Sequence, residues 1–97
     1  MKKDALKKKT KRKKMTFSFD SLGAIEVFLV GDFNRWDPKK HPMKHDGNGS
    51  WKKSVILLPG DYEYKFLVDG KWEEDRQNSR NCSNAFGTLN NVVSVNL

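Results

Sequence analysis

From Met15 onward the chain alternates apolar and polar residues in short runs, each closed by Gly, Pro, Asn or Asp. The clearest run is Tyr62 to Asp69. Tyr62, Tyr64, Phe66 and Val68 fall on one face and Glu63, Lys65, Leu67 and Asp69 on the other, which predicts a strand with Lys65 on its outer side. Thr16-Phe17-Ser18-Phe19 alternates in the same way and predicts a first strand, followed by a turn at Asp20–Gly23. Ala24 to Gly31 is rich in β-formers, with Val27 and Leu29 on one face and Phe28 and Val30 on the other. Because both faces are apolar, either this strand is covered on both sides or its outer face meets a partner. Met43-Lys44-His45 predicts a short edge strand, and Asp46-Gly47-Asn48-Gly49 a hairpin connection. In Ser50 to Leu58, Trp51, Val55 and Leu57 share a face that Lys53 interrupts. Trp51 is expected in the core, and Lys53 near the sheet end with its ammonium in water. Leu58-Pro59-Gly60-Asp61 is a tight turn. Asp69-Gly70 signals a type I′ hairpin whose return strand, Lys71–Glu74, puts Trp72 beside the tip. Asp75 to Thr88 is a polar loop with no predicted structure of its own, and Asn91–Asn96 closes the chain as a strand. Six or seven short strands without a helical period predict an all-β, immunoglobulin-like antiparallel β-sandwich.

One corner stands out. Gly31-Asp32-Phe33-Asn34-Arg35-Trp36 ends an apolar strand and precedes Asp37-Pro38. Either Trp36 folds back to cap the core or it is held outward as a flat platform for a ligand. Asp32 and Asn34 are expected to hold the corner through side-chain-to-backbone bonds.

Charge changes the picture at one end only. The chain has 97 residues and a net charge of +7, but residues 1–14 hold nine of its 19 Lys and Arg and one of its 12 acids. Residues 1–14 are therefore expected to form an extended basic tail ahead of a near-neutral domain over 15–97. The tail suits anionic partners; with no aromatic between its charges, nucleic-acid binding would run through phosphates alone. No apolar run approaches the roughly 20 residues of a membrane span, and no apolar stretch follows the basic N-terminus. A cytoplasmic location is expected. A single Cys82 and two histidines, His41 and His45, have no metal-ligand spacing, so no metal or other cofactor is expected. The acids are scattered over turns, and no nucleophile–base set or phosphate-binding loop is evident, so no enzyme is expected.

Four blocks then read together. They are Val27-Phe28-Leu29-Val30-Gly31-Asp32-Phe33-Asn34-Arg35-Trp36; Gly49-Ser50-Trp51; Pro59-Gly60-Asp61-Tyr62-Glu63-Tyr64-Lys65-Phe66-Leu67-Val68-Asp69-Gly70-Lys71-Trp72; and Gly87-Thr88-Leu89-Asn90-Asn91-Val92-Val93. In this order they closely resemble the glycogen-binding domain, the carbohydrate-binding module of family 48. That module is seen in AMP-activated protein kinase β subunits and ahead of the catalytic domains of branching and debranching enzymes, as in the isoamylase N-terminal-like early set domain. The resemblance covers residues 16–96. It implies an α-1,4-glucan ligand (glycogen, starch or maltooligosaccharide) held by Trp36, Trp72 and Lys65, with Phe86, Thr88 and Asn90 from the loop before the last strand. Phe86 departs from the Leu more usual in the kinase subunits. The resemblance also implies a second possibility, a protein-interaction module working with a glycogen-metabolism enzyme or kinase.

The residue types suit sugar. The C–H face of glucose loses little on leaving water for an indole, whereas its hydroxyls need hydrogen bonds in return. Lys65 donates, Asn90 donates and accepts, and Thr88 offers one hydroxyl. Against this, Trp72 could instead cover a sheet edge. Lys65 could pair with Glu63, Glu73 or Glu74, worth under about 1 kcal/mol if exposed.

Overall fold

The computed structural model describes residues 11–96. Among these lie eight strands: β1 (Lys13–Asp20), β2 (Val27–Gly31), β3 (Lys44–His45), β4 (Ser50–Leu57), β5 (Gly60–Val68), β6 (Lys71–Glu73), β7 (Asn81–Ser83) and β8 (Leu89–Val95). A single 3-10 turn, Asp32–Asn34, follows β2. The strands form a three-stranded sheet ordered β1-β4-β3 and a five-stranded sheet ordered β2-β5-β8-β7, with β6 also paired to β5. Every pairing is antiparallel. The expected immunoglobulin-like sandwich is the fold observed.

Alternation fixes which side chains meet between the sheets. Phe17 and Trp51 from one sheet pack with Val27, Leu29, Tyr64 and Phe66 from the other, and Met43 joins them from the segment before β3. Phe17 stands edge-on to Tyr64 with ring centroids 4.9 Å apart, and Phe19 lies 5.1 Å from Phe66. Trp51 is buried as expected and stacks on His45 at 4.7 Å. Across β2 the alternation also holds, and its outer face is closed by the chain itself at one position: Val30 has no exposure although it points away from Leu29.

Four local expectations are corrected. The segment 75–88 is not structureless, since Asn81–Ser83 pairs with β8 through Asn81↔Asn91, Cys82↔Asn90 and Ser83↔Leu89. Ala24–Glu26 is not strand; Ile25 and Glu26 instead donate their backbone N–H groups to the Asp69 carboxylate. Lys53 does not sit at a sheet end but opposite Phe17 in the body of β4, half-buried. Order also starts earlier than Met15, because Lys13 and Lys14 find backbone partners in Leu57 and Ile56. Residues 1–10 of the expected basic tail lie outside the described residues.

The hairpin signal is realised. Asp69 and Gly70 both have positive φ, 48° and 80°, as a type I′ turn requires. This returns β6 along β5, with Trp72 directly opposite Leu67.

Candidate functional site

Register collects three of the candidate residues, Lys65, Trp72 and Asn90. In an antiparallel pair, opposed residues project to the same face. Lys65 opposes Val30, Leu67 opposes both Phe28 and Trp72, and Glu63 opposes Val92. Asn90, two residues before Val92, and Cys82, opposite Asn90, share that face. The outer face of the five-stranded sheet thus carries Trp72, Leu67, Lys65, Glu63 and Asn90.

Trp36 reaches this face by a corner that the local sequence builds. Arg35 and Trp36 both adopt left-handed backbone, φ 56° and 59°, and Trp36 N donates to Gly31 O at 2.9 Å. Such a conformation is costly for residues with a Cβ and persists only where surroundings enforce it. Asn34 does much of the enforcing. It is 4% exposed; its Oδ1 accepts from Gly31 N at 3.0 Å, and its Nδ2 donates to Leu29 O at 2.9 Å. The same Nδ2 lies 2.8 Å from His41 Nδ1. The His41 pKa is lowered by burial first and by the Lys53 and Lys40 charges next. Its neutral ring can then accept the Asn34 proton.

Asp32 orients the indole. Its Oδ1 accepts from Trp36 Nε1 at 2.9 Å, and its Oδ2 accepts from Glu63 N on β5 at 2.7 Å. One carboxylate therefore ties the ring to the strand that carries Lys65. Gly31 permits the approach. Its φ of −173° is extended and suits any residue, but a Cβ there would meet Glu63 O at 2.6 Å and Tyr64 Cβ at 2.8 Å.

The two tryptophans come together. Trp36 is half-buried and Trp72 is 49% exposed, with ring centroids 6.5 Å apart and planes at 61°. This edge-to-face contact is a favourable arrangement for the pair itself. It leaves apolar ring surface facing solvent.

Beside them runs a polar network. Lys65 is 7% exposed and donates from Nζ to Thr88 Oγ1 at 3.1 Å. Among the described residues no carboxylate oxygen lies within 4.0 Å of its ammonium, so the alternative pairings with Glu63, Glu73 or Glu74 are not formed. Asn90, also nearly buried, donates from Nδ2 to Glu63 Oε1 at 3.0 Å. The Glu63 carboxylate, hydrogen-bonded to Cys82, pushes its thiol pKa up. Phe86 stands at the loop tip, 90% exposed.

The sequence reading did not single out Asn84, and it weighed Glu63 only as an ion-pair partner for Lys65. Asn84 closes the loop that carries Phe86 and Thr88: its Oδ1 accepts from Phe86 N at 2.9 Å and from Thr88 N at 3.1 Å. An Asn two residues before an N–H in a Gly-containing stretch is an Asx-turn signal, so this anchor was there to be found. Glu63 carried no such signal.

The surface is a platform, not a pocket. A cleft of about 400 Å³ lies elsewhere, between Phe19 and Asp20 of one sheet and Val68 and Glu73 of the other. Among the described residues no group of three or more His, Cys, Asp or Glu could hold a metal ion, and no helix is long and apolar enough to cross a membrane. Exposed aromatic rings beside oriented donors can receive a ligand that has both C–H faces and hydroxyl edges.

Comparison with known proteins agrees in kind. Residues 13–97 match the family described as the glycogen recognition site of AMP-activated protein kinase. The chain is 38% identical over 74 residues to the 5′-AMP-activated protein kinase subunit beta-1 of Sus scrofa, covering 75% of this chain and 57% of that protein. It is 46% identical over 52 residues to Protein PTST homolog 2, chloroplastic, of Arabidopsis thaliana, covering 54% of this chain and 10% of that one. The chain thus spans less than two thirds of the length of each. Among solved structures, a maltogenic amylase from S. marinus superposes with a TM-score of 0.77 at 17% identity, over 90% of this chain and 14% of the amylase. That last likeness is one of fold.

Proposed function

We propose that this chain, which belongs to the glycogen recognition family of AMP-activated protein kinase, binds α-1,4-glucan without catalysis, through Trp36, Trp72 and Lys65 with Phe86, Thr88 and Asn90. The observation that carries the reading is the Trp36–Trp72 pair on the same sheet face as the Lys65–Thr88 bond. A ring planted on each indole would remove about 100 Å² of apolar surface from water, worth about 2.5 kcal/mol gross per Trp. Ordering a flexible glucan offsets much of that. With hydrogen bonds from Lys65, Thr88 and Asn90 to sugar hydroxyls added to the platform contribution, the expected net is about −4 to −7 kcal/mol, a Kd between about 1 mM and 10 µM. The buried Lys65 ammonium, with one neutral hydroxyl as its partner, retains donors for sugar oxygens.

Calorimetric titration with maltoheptaose, with cellohexaose as control, tests this. Heat is expected for the first alone, and Trp36→Ala plus Trp72→Ala should abolish it. Unchanged affinity in that double variant refutes the reading.

A second reading, a module docking on a kinase or glycogen-metabolism enzyme, draws support from the kinase-subunit relatives. A defined complex that survives excess maltoheptaose would favour it. The basic stretch 2–14 is proposed to contact anionic partners, and its deletion should leave glucan affinity intact. A cytoplasmic location is part of the same proposal.

A further inference from the structure

Backbone donors fix the hydrogen-bond directions around the Phe86 loop. Backbone N–H groups of Phe86 and Thr88 both point at Asn84 Oδ1, at 2.9 and 3.1 Å. Backbone amides only donate, so the atom they meet is the carbonyl oxygen and the amide cannot be flipped. Asn84 Nδ2 therefore faces Thr88 Oγ1 at 2.7 Å and Asn90 Oδ1 at 2.9 Å. All four hydrogen-bonding positions of Asn84 are then used. The assignment at Asn90 agrees, because its other end donates to Glu63 Oε1 at 3.0 Å.

Thr88 is the residue this constrains. Its hydroxyl has two acceptor positions and one proton. Lys65 Nζ occupies one acceptor position at 3.1 Å and Asn84 Nδ2 the other. The proton has no partner left within the network and must point away from it, toward the exposed side.

We propose that Asn84 is a positioning residue that sets the polarity of the glucan surface by holding the Thr88 hydroxyl as an outward donor. This rests on the glucan-binding reading above and deepens it. Asn84 itself touches no sugar. Through it, Thr88 and Lys65 present donors side by side, and the ligand chemistry they select is a ring edge whose oxygens accept, such as the hydroxyl pair of a glucose unit. Loop closure and polarity are separable functions of the one amide: its oxygen closes the loop and its nitrogen orients Thr88.

Asn84→Asp separates them. A carboxylate still accepts from Phe86 N and Thr88 N, but it has no proton to give Thr88 Oγ1 or Asn90 Oδ1. The Thr88 hydroxyl then turns inward to donate to the new carboxylate. Maltoheptaose titration of the full chain should show affinity about tenfold weaker, with Phe86 and Thr88 amide exchange still protected and the melting temperature little changed. Asn84→Ala should lose that amide protection as well. Equal affinity in Asn84→Asp and wild type overturns the proposal. A double-mutant cycle guards against an unforeseen loop change. In a Thr88→Val background the Asn84→Asp penalty should shrink to the share carried by the lost bond to Asn90 Oδ1, and a penalty that persists in full shows Asn84 acting by another route and overturns it. Failure of wild type to bind maltoheptaose, or binding that survives Trp36→Ala plus Trp72→Ala, overturns the glucan reading itself and this inference with it.

Discussion

Gly31→Ala tests whether the corner is built on close approach and not on backbone freedom. Gly31 is extended, with φ −173°, so alanine meets no torsional obstacle. Removing a glycine from the unfolded chain should by itself stabilise by about 0.4–1 kcal/mol. The added Cβ, however, would lie 2.6 Å from Glu63 O, about 0.8 Å inside the ordinary limit of 3.4 Å, and 2.8 Å from Tyr64 Cβ. Glu63 O is backbone of a central strand and cannot rotate aside. β2 and β5 must part at Gly31↔Tyr64, one step from Val30↔Lys65. Overpacking of this kind costs about 1–3 kcal/mol, which outweighs the entropic gain and leaves a net loss of about 1–2 kcal/mol. For a domain of this size that is a fall in melting temperature of about 5–15 °C. Thermal unfolding followed by near-ultraviolet circular dichroism measures it. An unchanged or higher melting temperature refutes the reasoning. Maltoheptaose affinity should also fall, since Gly31 O anchors Trp36 N and Lys65 lies beside the widened gap. A loss of stability with full affinity would show that the corner does not position the indole.

Two further perturbations address the same corner. Asp32→Ala removes the acceptor of Trp36 Nε1 and leaves Glu63 N without its partner. Maltoheptaose calorimetry should then give a Kd about three- to tenfold higher, at a stability cost of about 1 kcal/mol read from urea midpoints. Acidification should loosen the corner through His41, whose folded pKa lies below its ordinary 6.5 through burial and the nearby Lys53 and Lys40 charges. Between the two values the unfolded chain binds more protons, so the stabilising contribution is complete above pH 6.5 and is lost as pH falls through the folded value. Urea midpoints should drop from pH 7.5 to pH 5 in wild type and drop less in His41→Gln. Asp46 is held below its ordinary 3.8 by the Asn48 and Ser50 backbone N–H groups, so its contribution fades only below that pH and does not blur the His41 window.

Residues 62–72 were legible because one signal governed each step. Strict alternation defines the faces of β5, and Asp69-Gly70 leaves the chain one tight way to return. Both are local, and local patterns are written in consecutive residues. Trp51 was legible because an indole on an otherwise apolar strand face has little alternative to burial. β7 was not. Asn81-Cys82-Ser83 has no β-forming side chains, and it is a strand because β8 offers unpaired backbone across from it. The segment before it is fixed by polar side chains reaching over long distances. Asn91 Nδ2 donates to Asp75 O at 3.1 Å and Asn78 O at 3.0 Å, while Asn78 Nδ2 donates to Val92 O at 2.9 Å. Asn is a turn former by local statistics, and only the tertiary fold turns it into a staple for the edge segment.

The same division runs through the site. Aromatic rings and a lysine on one parity can be read from spacing. Which donor faces which acceptor cannot, because that depends on residues 31 positions apart, as between Asp32 and Glu63, or 23 apart, as between Lys65 and Thr88. Asp32 shows what this adds. By position it is a corner residue, and its first duty is to hold the turn. Yet its two oxygens take the Trp36 indole and the Glu63 backbone together, so the orientation of the apolar platform and the register of the polar strip beside it are set by one group. A ligand that needs both a dry ring face and an adjacent row of donors meets them already at fixed spacing. The ordering cost on the protein side has then been met during folding, leaving chiefly that of the flexible polymer.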